Sequence, residues 1–347
     1  MSPVAAATPL RPFEPLPWLQ SHWQRLWDAH CNDRLPHALI LIGPAGIGKR
    51  HFADRFAAAL MCTNTGAEGQ PCGVCADCVL LSAGTHPDLI HLDPDPESKS
   101  NEIKIDAVRE LCNRQSLTAN RGPRTVLRIA PAEAMNRFAA NSLLKTLEEP
   151  ADSTLLILIS ENPGGLPSTV ISRCQPLTML PPDAENAERW LSAKLNNPEI
   201  ETRLLLRLAQ DAPLRALVIS NDHWLTLRDD CFRRFQAIAM GDQDPLAAAS
   251  AWQQLDVELL LEWLAGWVSD LLRIGQNGDC AYLNNPDRRT ELTILALRLV
   301  PLDVHLYLQQ VLKAKALSAL PINKLLLFES LLVRWARLSA GIDLNGN

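Results

Sequence analysis

The stretch Leu39-Ile40-Leu41-Ile42-Gly43-Pro44-Ala45-Gly46-Ile47-Gly48-Lys49-Arg50 constrains this chain more than any other. A short apolar run leads into a glycine-rich loop, and residues 50–61 then carry helical periodicity through Phe52, Phe56, Ala59 and Leu60. Strand, loop and helix in that order are the context that the phosphate-loop pattern G-x-x-x-x-G-K-S/T requires. Its glycines let backbone N–H groups close around phosphate oxygens, and Lys49 adds a point charge. Gly43, Gly46, Gly48 and Lys49 are therefore the candidate nucleotide-binding residues. The pattern fails at its last position. Arg50 stands where a Ser or Thr hydroxyl normally holds Mg²⁺, and an arginine cannot ligate a cation.

A second defect lies further along. A phosphate-loop ATPase needs an Asp at the end of a later strand for its metal, usually with a Glu to activate water. Here the run Thr125-Val126-Leu127-Arg128-Ile129 is followed by Ala130-Pro131-Ala132-Glu133. Ala130 and Pro131 can do neither task, and Glu133 reads as a solvated carboxylate near a helix start. Both defects concern magnesium, so the chain is expected to keep a nucleotide-type fold with little or no hydrolysis and doubtful occupancy.

The rest of the first half fits that fold. Val126–Ile129 and Leu155–Ile159 are apolar runs of strand length, and between them a helix over 137–149 is stopped by Pro150. Short buried strands separated by helices imply a parallel sheet covered on both faces. After Pro181-Pro182 the patterns are those of amphipathic helices, first around Leu204, Leu205, Leu208 and Leu217, then from Trp252 to about Ala340. With 347 residues the chain exceeds one ordinary core. The expected division is residues 1–179, 180–221 and 222–347.

Four of the nine cysteines cluster, as Cys62-x9-Cys72-x2-Cys75-x2-Cys78. Tetrahedral Zn²⁺ takes four thiolates at structural sites, and a fully protein-ligated ion leaves no open position for chemistry. An iron–sulfur cluster also takes four cysteines, but nothing else suggests electron transfer. A redox pair at Cys72 and Cys75 would leave Cys62 and Cys78 unused. An odd cysteine total behind an N-terminus that does not read as a secretory signal argues for reduced thiols and a cytoplasmic chain. No run of 18 apolar residues suggests a membrane span.

Further motifs carry a resemblance. Asn141-Ser142-Leu143-Leu144-Lys145-Thr146-Leu147-Glu148-Glu149-Pro150, an apolar strand, then Ser172-Arg173-Cys174, resemble the clamp-loader branch of the AAA+ proteins. The cysteine module before Gly84-Thr85-His86-Pro87-Asp88 is similar as well. Within that branch, motor subunits carry Asp-Glu where this chain has Ala130-Pro131, and Ser or Thr where it has Arg50. Broken ATPase signatures on that scaffold resemble the delta-prime type of bacterial DNA polymerase III. The resemblance covers residues 20–180 in specific motifs.

It implies an α/β RecA-like AAA+ sheet domain with an inserted zinc module at 62–78, an all-α lid, and an all-α collar used for oligomerisation. It implies tau or gamma ATPase subunits, the delta subunit, the sliding clamp and primer-template DNA as partners. It also implies that Arg173 acts in trans on ATP held by a neighbouring subunit, where a guanidinium can stabilise charge on a transferring phosphoryl group. Arg215 resembles the lid arginine of the branch, and Ser160-Glu161-Asn162 its first polar sensor.

Two other readings compete. One is a divergent motor ATPase that still uses Lys49, which turnover by the purified chain would reveal. The other is a zinc-bearing nucleic-acid module. The formal net charge of −6 and sequence pI of about 5.8 count against it, as does the absence of any Lys or Arg in residues 62–80.

Overall fold

The structure is a computed structural model and describes residues 8, 10–95, 102–115, 121–151, 153–196, 201–220, 222–278, 280–318 and 322–341. The described chain separates into two compact units. One comprises Thr8–Trp190 with Ala212–Arg215, the other Leu191–Asp211 with residues from Ala216 onward.

The first unit runs α1 (Gln20–Cys31), β1 (Ala38–Ile42), α2 (Lys49–Met61), α3 (Ala76–Ser82), β2 (Leu89–Leu92), α4 (Ile105–Gln115), β3 (Thr125–Ile129), α5 (Arg137–Glu148), β4 (Thr154–Ser160), α6 (Ser168–Ile171) and β5 (Gln175–Thr178). The five strands form one sheet in the order β2-β3-β4-β1-β5. Every pairing is parallel, with Ala38 opposite Leu156 and Val126 opposite Leu155.

The central strands are apolar on both faces because both faces are covered. Alternate residues divide between two cores, as the two-residue period of a strand demands. Leu39, Leu41, Val126, Leu155, Ile157 and Ile159 join Trp23 of α1 and Phe52 and Phe56 of α2. Ala38, Ile40, Leu127, Ile129, Leu156 and Leu158 join Val108 and Leu111 of α4 and Ala139, Leu143 and Leu147 of α5. Burying one such side chain stabilises the fold by about 1.5–3 kcal/mol, so one polar substitution among the apolar residues Leu155–Ile159 of β4 would outweigh several surface contacts. Asn136 caps α5 by accepting from the Ala139 N–H, and Pro150 follows its last turn. The parallel sheet expected from the apolar runs is thus present, with β1, β3 and β4 within one residue of the expected limits.

Two strands have no counterpart among the apolar runs. β2 is half-exposed and β5, Gln-Pro-Leu-Thr, buries only Leu177. Both lie at sheet edges, where Pro176 can sit without costing a ladder bond.

The second unit is helical. α7 (Ala184–Lys194) and α9 (Pro213–Ile219) each have residues in both units, and α8 (Thr202–Leu208) lies in the second. Then come α10 (Asp222–Met240), α11 (Pro245–Trp252), α12 (Val257–Gln276), α13 (Arg289–Ala296), α14 (Pro301–Leu317) and α15 (Lys324–Ser339). Trp252, Trp267, Trp335, Phe235 and Phe328 form its aromatic centre. Phe235 stacks on Trp335 at 4.2 Å, and the Trp335 indole N–H donates to the Phe235 carbonyl at 2.8 Å. These tryptophans serve as core anchors. No helix among the described residues is long and apolar enough to cross a membrane.

Candidate functional site

The phosphate loop leaves the carboxyl end of β1 and opens α2, with Gly46 and Gly48 at φ of +75° and +98°. Only glycine holds such angles without strain. Space tightens the requirement, since a Cβ on Gly48 would lie 2.2 Å from Leu16 Cδ1 and one on Gly46 2.5 Å from Arg215 Cβ. The loop is therefore roofed by the chain itself. The Leu214 N–H donates to the Gly46 carbonyl at 3.0 Å, and the Trp18 indole donates to the Ile47 carbonyl at 2.9 Å while meeting Trp190 edge-on.

Lys49 turns into the loop. Its buried Nζ donates to the carbonyls of Gly43 at 2.7 Å and Pro44 at 2.6 Å, with the Glu161 carboxylate 3.9 Å away. Burial lowers its pKa, and the carboxylates of Glu161 and Glu133 oppose the shift. Ser160, at the end of β4, offers its carbonyl to the Gly43 N–H at 3.2 Å, and its hydroxyl is buried without a partner among the described residues.

Arg50 occupies the end of the site where a motor would hold its metal. Its Nη2 donates to the Ala130 carbonyl at 2.9 Å, and its Nη1 meets Asp93 Oδ1 at 2.5 Å. Arg128 holds the other oxygen of Asp93 at 3.1 Å and reaches Asp54 at 3.2 Å. A fixed cation thus spans from α2 to the ends of β2 and β3. No carboxylate stands at Ala130 or Pro131 to share a divalent ion with the loop.

Glu133 departs from its expected role. A turn of 3-10 helix over Ala132–Ala134 brings Oε1 within 2.8 Å of the Glu161 N–H and 3.0 Å of the Asn162 N–H. It is a structural acceptor that ties the segment after β3 to the end of β4, rather than a solvated carboxylate.

The cysteines lie beyond the far end of α2. Cys62 caps α2, Cys75 caps α3 by accepting from the Cys78 N–H, and Cys78 lies within α3. All four sulfurs lie within 4.8 Å of one another, with Cys62–Cys75 at 3.9 Å and Cys72–Cys78 at 4.0 Å. Four sulfurs around one tetrahedral ion at zinc–sulfur distances stand about 3.8 Å apart, so the group could hold a metal ion. Backbone N–H groups already point at the sulfurs: Cys72 and Asn64 donate to Cys62 at 3.4 Å, and Cys75 to Cys72 at 3.2 Å. Burial raises the Cys75 thiol, but N–H groups of Cys78 and Thr63 outweigh it and bring the pKa to about 6. Burial pushes Cys78 up.

The motif after the module leads from α3 into β2. His86 Nε2 lies 3.4 Å from Asp77 of α3, and Asp88 accepts the N–H groups of Arg121 and Gly122, each at 2.8 Å.

Arg173 follows α6 at the surface. Its guanidinium is held by Glu148 Oε1, with Nε at 3.0 Å and Nη2 at 2.6 Å, and by the Thr169 carbonyl, with Nη1 at 3.0 Å. The side chain keeps 37% of its surface exposed.

The sequence matches subunits of DNA polymerase III. A family model described as the delta subunit of DNA polymerase III matches residues 18–183, and a second, for the C-terminal part of that subunit, matches residues 222–337. The delta' subunit of DNA polymerase III from Pseudomonas aeruginosa is 36% identical over 93% of this chain and 97% of its own. The chain belongs to the DNA polymerase III delta-prime family.

The Escherichia coli delta-prime subunit is 31% identical over 92% of this chain and 94% of its own. The tau subunit of Escherichia coli DNA polymerase III is 33% identical over 60% of this chain and 30% of its own. In this delta-prime family member, Gly43, Gly46, Gly48 and Lys49 gather in one loop, the four cysteines in a second cluster, and Arg173 in a third place. Asp93, Glu148 and the roofing residues Leu16 and Trp18 carry no signal of their own in the sequence. Only the place of Glu148 within the Leu147-Glu148-Glu149-Pro150 motif could draw attention to one of them.

Proposed function

We propose that this chain is a clamp-loader subunit of DNA polymerase III that hydrolyses no ATP itself and completes the active site of a neighbour. The single observation behind this reading is Arg50, whose guanidinium bridges Ala130 and Asp93 where a motor would coordinate Mg²⁺. A site filled by a fixed cation does not collect a second one, and without the ion no in-line displacement at the γ-phosphate is supported. Lys49, bonded to the loop's own carbonyls, leaves little for a phosphate.

Arg173 then serves another site. It acts in trans on ATP bound by a tau or gamma subunit, and the delta subunit, the sliding clamp and primer-template DNA complete the cytoplasmic assembly. Residues 1–179 form the AAA+ domain, 180–221 a lid and 222–347 a collar. Cys62, Cys72, Cys75 and Cys78 hold one Zn²⁺. With all four positions taken by thiolates, it stabilises the module and does no chemistry.

Turnover by the isolated, purified chain is the test. None above background is expected with Mg²⁺ and ATP, and steady hydrolysis that disappears in Lys49→Ala would favour a divergent motor instead.

A further inference from the structure

We infer that Glu148 is a positioning residue for Arg173. The inference rests on the reading of Arg173 as a trans arginine. An arginine side chain has four flexible torsions and, on an exposed surface, samples many rotamers, whereas a group that must meet a phosphoryl oxygen needs one. Arg173 is fixed at both flanks. Glu148, the last residue of α5, takes Nε and Nη2 on one oxygen, and the Thr169 carbonyl of α6 takes Nη1.

Hydrogen bonds use two of the five guanidinium N–H groups, one on Nε and one on Nη1, while Nη2 makes an ion-pair contact with the same Glu148 oxygen. At least one N–H is left on each Nη. Together these form the outer fork of the guanidinium, the pair suited to two oxygens of one phosphoryl group. Glu148 therefore aims the fork away from its own chain.

Charge alone does not explain the pairing. A carboxylate beside a cation partly cancels its field, so a residue selected only to supply positive charge would be better without one. The pair is also half-exposed, at 37% for Arg173 and 53% for Glu148. Pairs that open to water contribute little to stability. Orientation is what remains for Glu148 to supply.

The experiment reconstitutes the clamp loader with Glu148→Ala, Glu148→Gln, Arg173→Ala and the double variant. Clamp- and DNA-stimulated ATP turnover is read as kcat and KM. Glu148→Ala is expected to assemble normally and to lower kcat by about threefold to tenfold, below the roughly hundredfold cost of a misplaced group because unaltered motor sites share the turnover, with KM for ATP unchanged. Glu148→Gln, which keeps an acceptor oxygen, should retain most of the turnover. In the Arg173→Ala background, Glu148→Ala should add no further loss.

Wild-type kcat in Glu148→Ala beside a slow Arg173→Ala would overturn the positioning role and leave the trans arginine standing. A rise in kcat in Glu148→Ala would mark the pair as a restraint rather than a support. Losses that multiply in the double variant would show that Glu148 acts elsewhere. Full turnover in Arg173→Ala would remove both ideas together.

Discussion

Replacing Lys49 separates a structural phosphate loop from a working one. In Lys49→Met the aliphatic length is kept and the ammonium is lost, so the carbonyls of Gly43 and Pro44 lose partners at 2.7 and 2.6 Å. Hydrogen bonds from a charged donor contribute about 1.5–3 kcal/mol each. The substitution also removes the cost of keeping an ammonium out of water, which offsets part of the loss. The net destabilisation is roughly 2–3 kcal/mol. For a unit of this size each kcal/mol moves the melting temperature by roughly 2–4 °C, so a fall of about 4–12 °C is expected. The assay is a thermal melt of purified chain with and without ATP and Mg²⁺, paired with clamp loading by the reconstituted complex below the melt. The melt should drop, nucleotide should shift neither protein, and loading should stay near wild type. An unchanged melt with loading abolished would refute the reasoning, because Lys49 would then act on a nucleotide rather than on its own loop.

Metal analysis of untagged protein should give about one zinc per chain, and Cys78→Ser should lose it together with protease resistance in residues 62–80; iron with visible absorption, or metal-free folded protein, would contradict the four-thiolate site. In the helical unit, Asp270 is fully buried and accepts from the N–H groups of Asn284 and Asn285, the Asn285 amide and Arg273, all within 3.0 Å. Asp270→Ala strands the backbone and amide donors of Asn284 and Asn285, while Arg273, 38% exposed, can turn to water. It should cost about 1–3 kcal/mol or more, read as a lower urea midpoint; a midpoint within error of wild type would show that water replaces the carboxylate.

How much of this is legible in the sequence depends on distance along the chain. β1, β3 and β4 announce themselves because strands buried on both faces must be continuously apolar, and a glycine loop after the first fixes the α/β class. The cysteine spacing is legible because all four candidate ligands fall between Cys62 and Cys78 on two helix ends and one loop. Edge strands β2 and β5 are not, since a half-exposed strand of four residues lacks a clean pattern. The partners of the key cations are hidden for another reason. Arg50 meets Asp93 across 43 residues and Arg173 meets Glu148 across 25, and no local periodicity records which carboxylate the sheet will bring to which guanidinium. Glu133 looks solvated in sequence because its function lies in capping the backbone after β4, a contact set by the order of strands β3 and β4 in the sheet.

The central claim is that Arg173 acts on a neighbour's ATP. The most direct measurement is ATP turnover by the clamp loader reconstituted with Arg173→Ala, stimulated by clamp and primed DNA, with zinc content and assembly checked on the same sample. A trans arginine is worth several powers of ten at a single site in related phosphoryl transfers, and any other motor site in the complex would mask part of that loss. A clear fall in turnover and loading is therefore expected, with zinc and assembly intact and no rescue by Arg173→Lys, whose point charge lacks the fork. Wild-type turnover and loading in an assembled Arg173→Ala complex would contradict the account and leave this chain a scaffold.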